Sequence, residues 1–370
     1  MKRNNTAEGV LHFADFKSPC RGNFINSLEY LRPVTESQGK KVVYLFPAAT
    51  AKREWAQELK KDADVYFLGD SLLQNVKTVR SIIKRHNIRI IHSHFYKLPY
   101  ILTLDLASAF MGIKHVVHLH CALHIHGGVA RAIEKFLLRG KIFIGCSQKL
   151  TDDAKKYYPK NDAYTAKNAI WFPRLDEYEA LDKSALGLSE NAKTLMMFGF
   201  LYEVKGVDLA LEAVSELIDS GKDLQLILIL TSNIDEIKTK ITNRFGGIPQ
   251  WLHLLPPRND IASYYRLCDA FLAPSRSEGL PYSVLEASYL KIPVVLSNIP
   301  AHASLNLPCG YYFESENVGQ LKASLTSALD SAYDDGAFTA QSEQIKNEYQ
   351  LSVWADCIIK IYTKLYEFPK

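Results

Sequence analysis

At 370 residues the chain is long for a single hydrophobic core, so two domains of roughly 180 residues are expected. Hydrophobic residues at 47% and charged residues at 23% exclude a disordered or fibrous chain, and no run of about 18 apolar residues offers a membrane span. The net charge of +4 conceals an asymmetry: residues 1–174 carry +14 and residues 175–370 carry −10, which points to an anionic partner for the first half.

The segment Met1–Thr6 leads to no apolar stretch, so no signal peptide is expected. Val10–Ala14 reads as a first strand, followed by a Pro-Cys-Arg-Gly-Asn loop and a helix over Gly22–Leu31. Strands then alternate with helices: Lys41–Phe46, Asp64–Leu68, Ile88–His92, His115–His120 and Lys141–Cys146 are strands. Arg53–Lys60, Leu72–Arg85, Tyr100–Phe110 and Ala130–Leu138 are the helices between them. Such alternation predicts a parallel, doubly wound α/β sheet. The six cysteines form no C-x-x-C pair and sit mostly in apolar runs, as reduced thiols do in the cytoplasm.

Asn168–Pro173 and the acidic stretch after it look like a connection, after which the alternation restarts. Thr194–Phe198, Leu224–Leu230, Leu252–Leu255, Ala270–Ala273 and Pro293–Leu296 are strands. Val207–Asp219, Ile234–Arg244, Ile261–Arg266 and Ser283–Leu290 are helices. The expected divisions are 1–172, 173–350 and a terminal segment 351–370, whose Val353–Glu367 carries apolar residues at helical spacing.

The most informative segment is Ser277–Ala287, Ser-Glu-Gly-Leu-Pro-Tyr-Ser-Val-Leu-Glu-Ala. It places Glu278 at the carboxyl end of a strand and Glu286 early in the next helix. In open α/β sheets ligands bind in the crevice outside the strand ends, and free N–H groups at a helix start attract phosphate. A carboxylate beside a phosphate-favouring site is costly unless it binds hydroxyls, which sugars and riboses supply. The bare residues therefore suggest a sugar-nucleotide site. Phe198–Asp208 adds a strand-to-helix loop with Gly199, Lys205 and Gly206, suited to a phosphate.

Seven of the 11 histidines fall between 92 and 126, with pairs at 92/94, 118/120 and 124/126. Residues two apart on a strand share a face, a spacing a metal can use. No cysteine or acidic residue completes a ligand set, so no metal is expected. Asp62-Ala63-Asp64 reads as a surface segment at the start of a strand.

The Ser277–Ala287 string resembles the E-x7-E motif of retaining glycosyltransferases of the GT-B fold, family 4, and the likeness extends over nearly the whole chain. It implies two facing Rossmann-like domains, with the terminal helix crossing back over the first. It implies transfer of a sugar from a nucleotide donor, UDP-linked by first expectation, to a hydroxyl of a saccharide or lipid-linked saccharide in cell-surface polysaccharide synthesis. By the same resemblance Glu286 binds the ribose diol, and Glu278 with Gly279, Leu280, Pro281 and Tyr282 holds the donor sugar. Lys205 and Gly199 meet the diphosphate, Gly22 lies in the first-domain loop that approaches donor and acceptor, and His120 contacts the reacting sugar. Asn168 resembles the asparagine that ends the first domain.

One departure stands out: Phe200 occupies the position of the family's phosphate-loop arginine, leaving Lys205 and the helix N–H groups, or Arg258 or Arg276, to supply the charge. This substitution supports an alternative, a non-catalytic sugar-nucleotide-binding or scaffold protein on the same fold. No cofactor, metal or nucleic acid is implied, and the oligomeric state is open. The expected location is the cytoplasm, with the basic first half on the anionic inner face of the cell membrane.

Overall fold

In the computed structural model the chain divides into two compact units, Met1–Ala169 with Leu351–Lys370, and Ile170–Gln350. The structure describes residues 7–123, 125 and 127–367; the Met1–Thr6 segment and the His124/His126 pair lie outside them.

The first unit is a seven-stranded parallel sheet of order β3-β2-β1-β4-β5-β6-β7. Its strands are β1 (Gly9–Ala14), β2 (Lys41–Pro47), β3 (Asp64–Leu68), β4 (Ile88–His94), β5 (Lys114–Leu119), β6 (Ile142–Gly145) and β7 (Ala163–Thr165). Alternation along β1 sorts its side chains between two cores. Leu11 and Phe13 join Val43, Leu45, Val79 and Ile82 on one face. Ala14 joins Phe24, Ile25, Leu28, Tyr44 and Trp55 on the other. The helix Leu351–Glu367 belongs to this unit and buries Trp354, Ala355, Ile358, Ile361, Tyr362 and Leu365. It packs beside the helix Gly22–Ser37.

The second unit is a six-stranded parallel sheet of order β10-β9-β8-β11-β12-β13. Its strands are β8 (Lys193–Phe198), β9 (Leu224–Ile229), β10 (Leu252–Leu255), β11 (Ala270–Ala273), β12 (Val294–Ser297) and β13 (Gly310–Phe313). Its main core joins Leu195, Met197, Leu226 and Leu228 to the helices Val207–Asp219 and Val318–Asp330.

In each sheet the strand order reverses between the first and fourth strands, at β1/β4 and β8/β11. These are the topological switch points where doubly wound sheets bind ligands.

The expected elements appear within a few residues of their predicted bounds, except that the first helix runs past Leu31 through Pro33 to Ser37. The structure adds some the sequence reading left unassigned: the helix Gln148–Tyr157 with β7, and β13 with the helices Val318–Asp330 and Asp335–Tyr349. Asp64 opens β3 and pairs with Lys41 at 2.5 Å, so Asp62-Ala63-Asp64 is a structural turn into a strand.

Candidate active site

At the β8/β11 switch point two loops meet. Gly206 ends the loop after β8 with φ +65°, and a Cβ there would lie 2.0 Å from the Pro274 carbonyl oxygen. Only glycine fits on both counts. A Cβ on Gly199 would lie 2.5 Å from Leu228 Cδ1, so this glycine lets the loop leave the sheet against β9. The Arg276 N–H donates to the Val204 carbonyl at 2.8 Å, which ties the two loops together.

That approach brings Lys205 to Glu278. Nζ donates to Oε1 at 2.6 Å, and Ser275 Oγ donates to the same oxygen at 2.8 Å. The two side chains are 13% and 12% exposed, a position that weakens screening without removing solvent. Phe200 puts its ring 4.7 Å below the Lys205 ammonium. The residue that replaces the expected arginine thus lends Lys205 a π face. Arg276 does not supply a spare cation, because it is bidentate to Asp208 at 2.8 Å and also binds Glu316. Arg258 is likewise taken up by Asp260.

Leu280, Pro281 and Tyr282 lead into the helix Tyr282–Tyr289, with Pro281 as its N-cap residue. One turn along, Glu286 is buried at 4% exposure. Its carboxylate pairs with Arg174, from the short helix Pro173–Asp176, and accepts a hydrogen bond from Tyr265 Oη at 3.2 Å. Asp269 is structural: it accepts from Lys193 Nζ and from the Thr194 N–H, both at 2.8 Å.

His302 completes this region. Its Nδ1–H donates to the Ser297 carbonyl at 2.8 Å, leaving Nε2 buried and unpartnered. Burial lowers its pKa; Glu278 opposes the shift and Lys205 reinforces it.

The first unit has its own cluster. His12 on β1 stands opposite His92 on β4, and His94 stands opposite His118 on β5. His120 follows the end of β5. His118 and His120 line a cavity of about 380 Å³ with Phe95, Tyr96, Lys97 and Pro99. His12 Nδ1 is 3.1 Å from His94 Nε2, and His94 Nδ1 is 3.0 Å from His120 Nε2. His92 Nε2 is 3.2 Å from His118 Nδ1, and His92 Nδ1 is 2.6 Å from Tyr362 Oη. Burial pushes His12 and His120 down to about 3, and His92, His94 and His118 well below the ordinary imidazole value. The rings are therefore neutral. Two triads, His12/His92/His94 and His94/His118/His120, have ligand atoms within 4.8 Å of one another. Gly22 begins the helix after β1 with φ +56° and open space where a Cβ would sit.

Two family descriptions match the chain: "Glycosyltransferase Family 4" over residues 42–170 and "Glycosyl transferases group 1" over residues 179–349. The chain belongs to the group 1, family 4 glycosyltransferases. Among the family's curated members, an uncharacterized glycosyltransferase of Haemophilus influenzae is 27% identical over 194 residues, 52% of this chain and 53% of that protein. The chain thus spans about half the length of that relative. The Escherichia coli UDP-Gal:alpha-D-GlcNAc-diphosphoundecaprenol alpha-1,3-galactosyltransferase is 23% identical over 75% of this chain and 76% of its own length. Among solved structures, Anabaena HepE in complex with UDP-glucose superposes with a TM-score of 0.78 at 16% identity, covering 96% of this chain and 99% of that one. The fold is the GT-B fold of this family.

Within that family frame, the expected residues Gly199, Lys205 and Glu278 come together around the two β8/β11 loops, and Glu286 lies on the helix that follows. His120 and Gly22 lie in the first unit. The sequence reading missed Arg174 and His302, which carry no local motif and reach the region only through the fold; Tyr265 lies in the Tyr264–Cys268 stretch that resembles the family's pattern before the Glu278 loop, but its contact with Glu286 was not foreseen. It also missed His12, whose place on β1 was legible but whose alignment with β4 needed the strand order.

Proposed function

We propose that the protein is a retaining glycosyltransferase that moves a sugar from a UDP-linked donor to a hydroxyl of a saccharide or lipid-linked saccharide. The observation that carries this reading is the Lys205–Glu278 contact at 2.6 Å, with Glu286 one turn into the helix that follows, at a switch point of a parallel sheet. A cation and two carboxylates there match a diphosphate and two sets of hydroxyls.

In this account Lys205 leaves Glu278 for the donor diphosphate and neutralises charge on the departing UDP. Glu278, released, accepts hydrogen bonds from the donor sugar, with Gly279–Pro281 providing backbone contacts. Glu286 binds the ribose diol, oriented by Arg174 and Tyr265. His120 contacts the reacting sugar. Catalysis is then positioning and leaving-group stabilisation, with no metal and no cofactor. The lipid-linked acceptor named for the E. coli relative supports an acceptor of this class in cell-surface polysaccharide synthesis.

Membrane-surface binding from the cytoplasmic side is part of the proposal. Lys60, Lys61, Lys84 and Arg85 are exposed on helix ends. On the helix Gly128–Leu138, Val129, Ile133 and Phe136 are 79%, 51% and 77% exposed along one face, next to Lys135 and Arg139. That is the pattern of an interfacial helix.

A scaffold reading is favoured only by Phe200. Incubating the protein with UDP-sugars and a lipid-linked saccharide separates the two. Transfer with the donor's anomeric configuration preserved, read by NMR, is the expected result. Binding without hydrolysis or transfer would support the scaffold.

A further inference from the structure

The buried histidines of the first unit form one hydrogen-bonded line, and its polarity can be deduced. Tyr362 Oη lies 2.6 Å from His92 Nδ1 and 3.4 Å from His12 Nε2, the longest and weakest link. With the contacts given above, the order is His118, His92, Tyr362, His12, His94, His120. The line ends at Asn168, buried at 3% exposure, whose side chain is hydrogen-bonded to His120. At the other end His118 Nε2 is buried without a partner, and a buried lone pair is tolerated there more readily than a buried N–H. His118 therefore carries its proton on Nδ1, and the Asn168 amide accepts at the far end.

A neutral imidazole has one N–H and one lone pair, and a hydroxyl has one proton to donate. Each interior member therefore donates to one neighbour and accepts from the other. Fixing one end fixes every proton. With Asn168 accepting, His120 accepts from His94 at Nε2 and carries its proton on Nδ1. His94 then accepts from His12 at Nε2, and His12 from Tyr362. Tyr362 accepts from His92 Nδ1, and His92 accepts from His118 at Nε2. All five rings carry Nδ1–H. The line terminates in the Nε2 lone pair of His118, which is the one buried imidazole nitrogen of the line without a partner.

We propose that Asn168 and Tyr362 are positioning residues, Asn168 closing this line as its acceptor and Tyr362 carrying it through to His92 and His118. Both rings that line the cavity, His118 and His120, are thereby held in one tautomer. The role of this cavity in sugar transfer rests on the proposed function; the tautomer pattern does not. In this arrangement every lone pair of the two triads except that of His118 Nε2 already accepts a proton, so an ion would have to break the line.

The test is long-range 1H–15N correlation of the histidine rings at pH 7.5 in the full chain, purified without added metal. The expected wild-type result is Nδ1–H on His12, His92, His94, His118 and His120. In Tyr362→Phe the His92–His118 pair has one unpartnered N–H in either arrangement, so both rings are expected to show mixed tautomers while His12, His94 and His120 keep Nδ1–H. In Asn168→Ala the uniform Nδ1–H pattern is expected to give way to mixed tautomers along the whole line, with kcat for transfer falling several-fold and KM for the donor held. Mixed tautomers in the wild type, or a Tyr362→Phe spectrum identical to it, would overturn the proposal. One equivalent of transition metal in the purified protein would also overturn it. If the tautomers behave as expected while no transfer is detected, it is the functional reading that fails.

Discussion

Lys205 Nζ lies 2.6 Å from Glu278 Oε1 across 73 residues of chain, so the cation and the carboxylate proposed to hold the donor sugar neutralise each other in the unliganded chain. A diphosphate must therefore compete with Glu278 for Lys205. Lys205→Ala removes a charge-assisted hydrogen bond of about 1.5–3 kcal/mol, a loss of roughly 10–150-fold in affinity for a UDP-sugar. Uridine, which has no phosphate, should bind the variant as it binds the wild type. Calorimetric titration with both ligands checks this; equal losses would make Lys205 a structural residue.

Glu286 has a second duty that its motif does not announce. It is buried against Arg174 and Tyr265. Glu286→Ala is expected to weaken nucleotide binding and also to remove the buried ion pair with Arg174, costing about 3–5 kcal/mol of stability. Glu286→Gln keeps the acceptor for Tyr265 and should lose less stability. Glu278→Ala, in a more exposed pair, should lower turnover with a smaller change in melting temperature. Denaturant unfolding combined with steady-state kinetics separates the three.

The buried histidines predict acid lability. His12 and His120 titrate near 3 in the folded chain, and the other three rings of the line are also depressed by burial. In the unfolded chain all five titrate near 6.5. Below that value the unfolded state binds more protons, so stability falls as pH falls. Each histidine contributes about 1.4 kcal/mol per pH unit once it is well below 6.5. Melting temperature should be flat above pH 7 and drop steeply from pH 6.5 to 5. His12→Gln should flatten that slope. A melting temperature constant over this range contradicts the burial of neutral rings.

Much of this was legible in the sequence because it rests on local signals. Nearly continuous apolar runs mark most of the strands, as expected of parallel sheets covered on both faces, and Glu278 and Glu286 lie in one contiguous string. Lys205 follows a strand that its apolar residues declare. The partners were not legible: Arg174 meets Glu286 across 112 residues and Tyr362 meets His92 across 270. β7, three residues long, lies below what periodicity resolves. The helix Asp335–Tyr349 is polar over much of its surface and shows no clear stripe to read.

Membrane binding is expected to have two components. Lys60, Lys61, Lys84 and Arg85 supply about 1 kcal/mol each near an anionic surface, and Phe136 and Ile133 supply apolar contact. Co-sedimentation with anionic vesicles should fall steeply between 0.1 M and 1 M salt, as the Debye length shrinks from about 10 Å to about 3 Å. Reversing the four charges should release the protein and spare activity on a soluble acceptor, and Phe136→Asp should weaken binding. Indifference to lipid charge would leave the basic half as a solvated surface.

The central claim is a sugar-nucleotide site built on Lys205, Glu278 and Glu286, and thermal unfolding against UDP-, GDP- and ADP-sugars tests it most directly. A donor at about 100 times its dissociation constant stabilises the folded state by about 2.7 kcal/mol. The account predicts a shift of several degrees with a UDP-sugar, smaller shifts with the others, and loss of the shift in Glu286→Ala. No shift with any nucleotide sugar, or a UDP-sugar shift undiminished in Glu286→Ala, would contradict it.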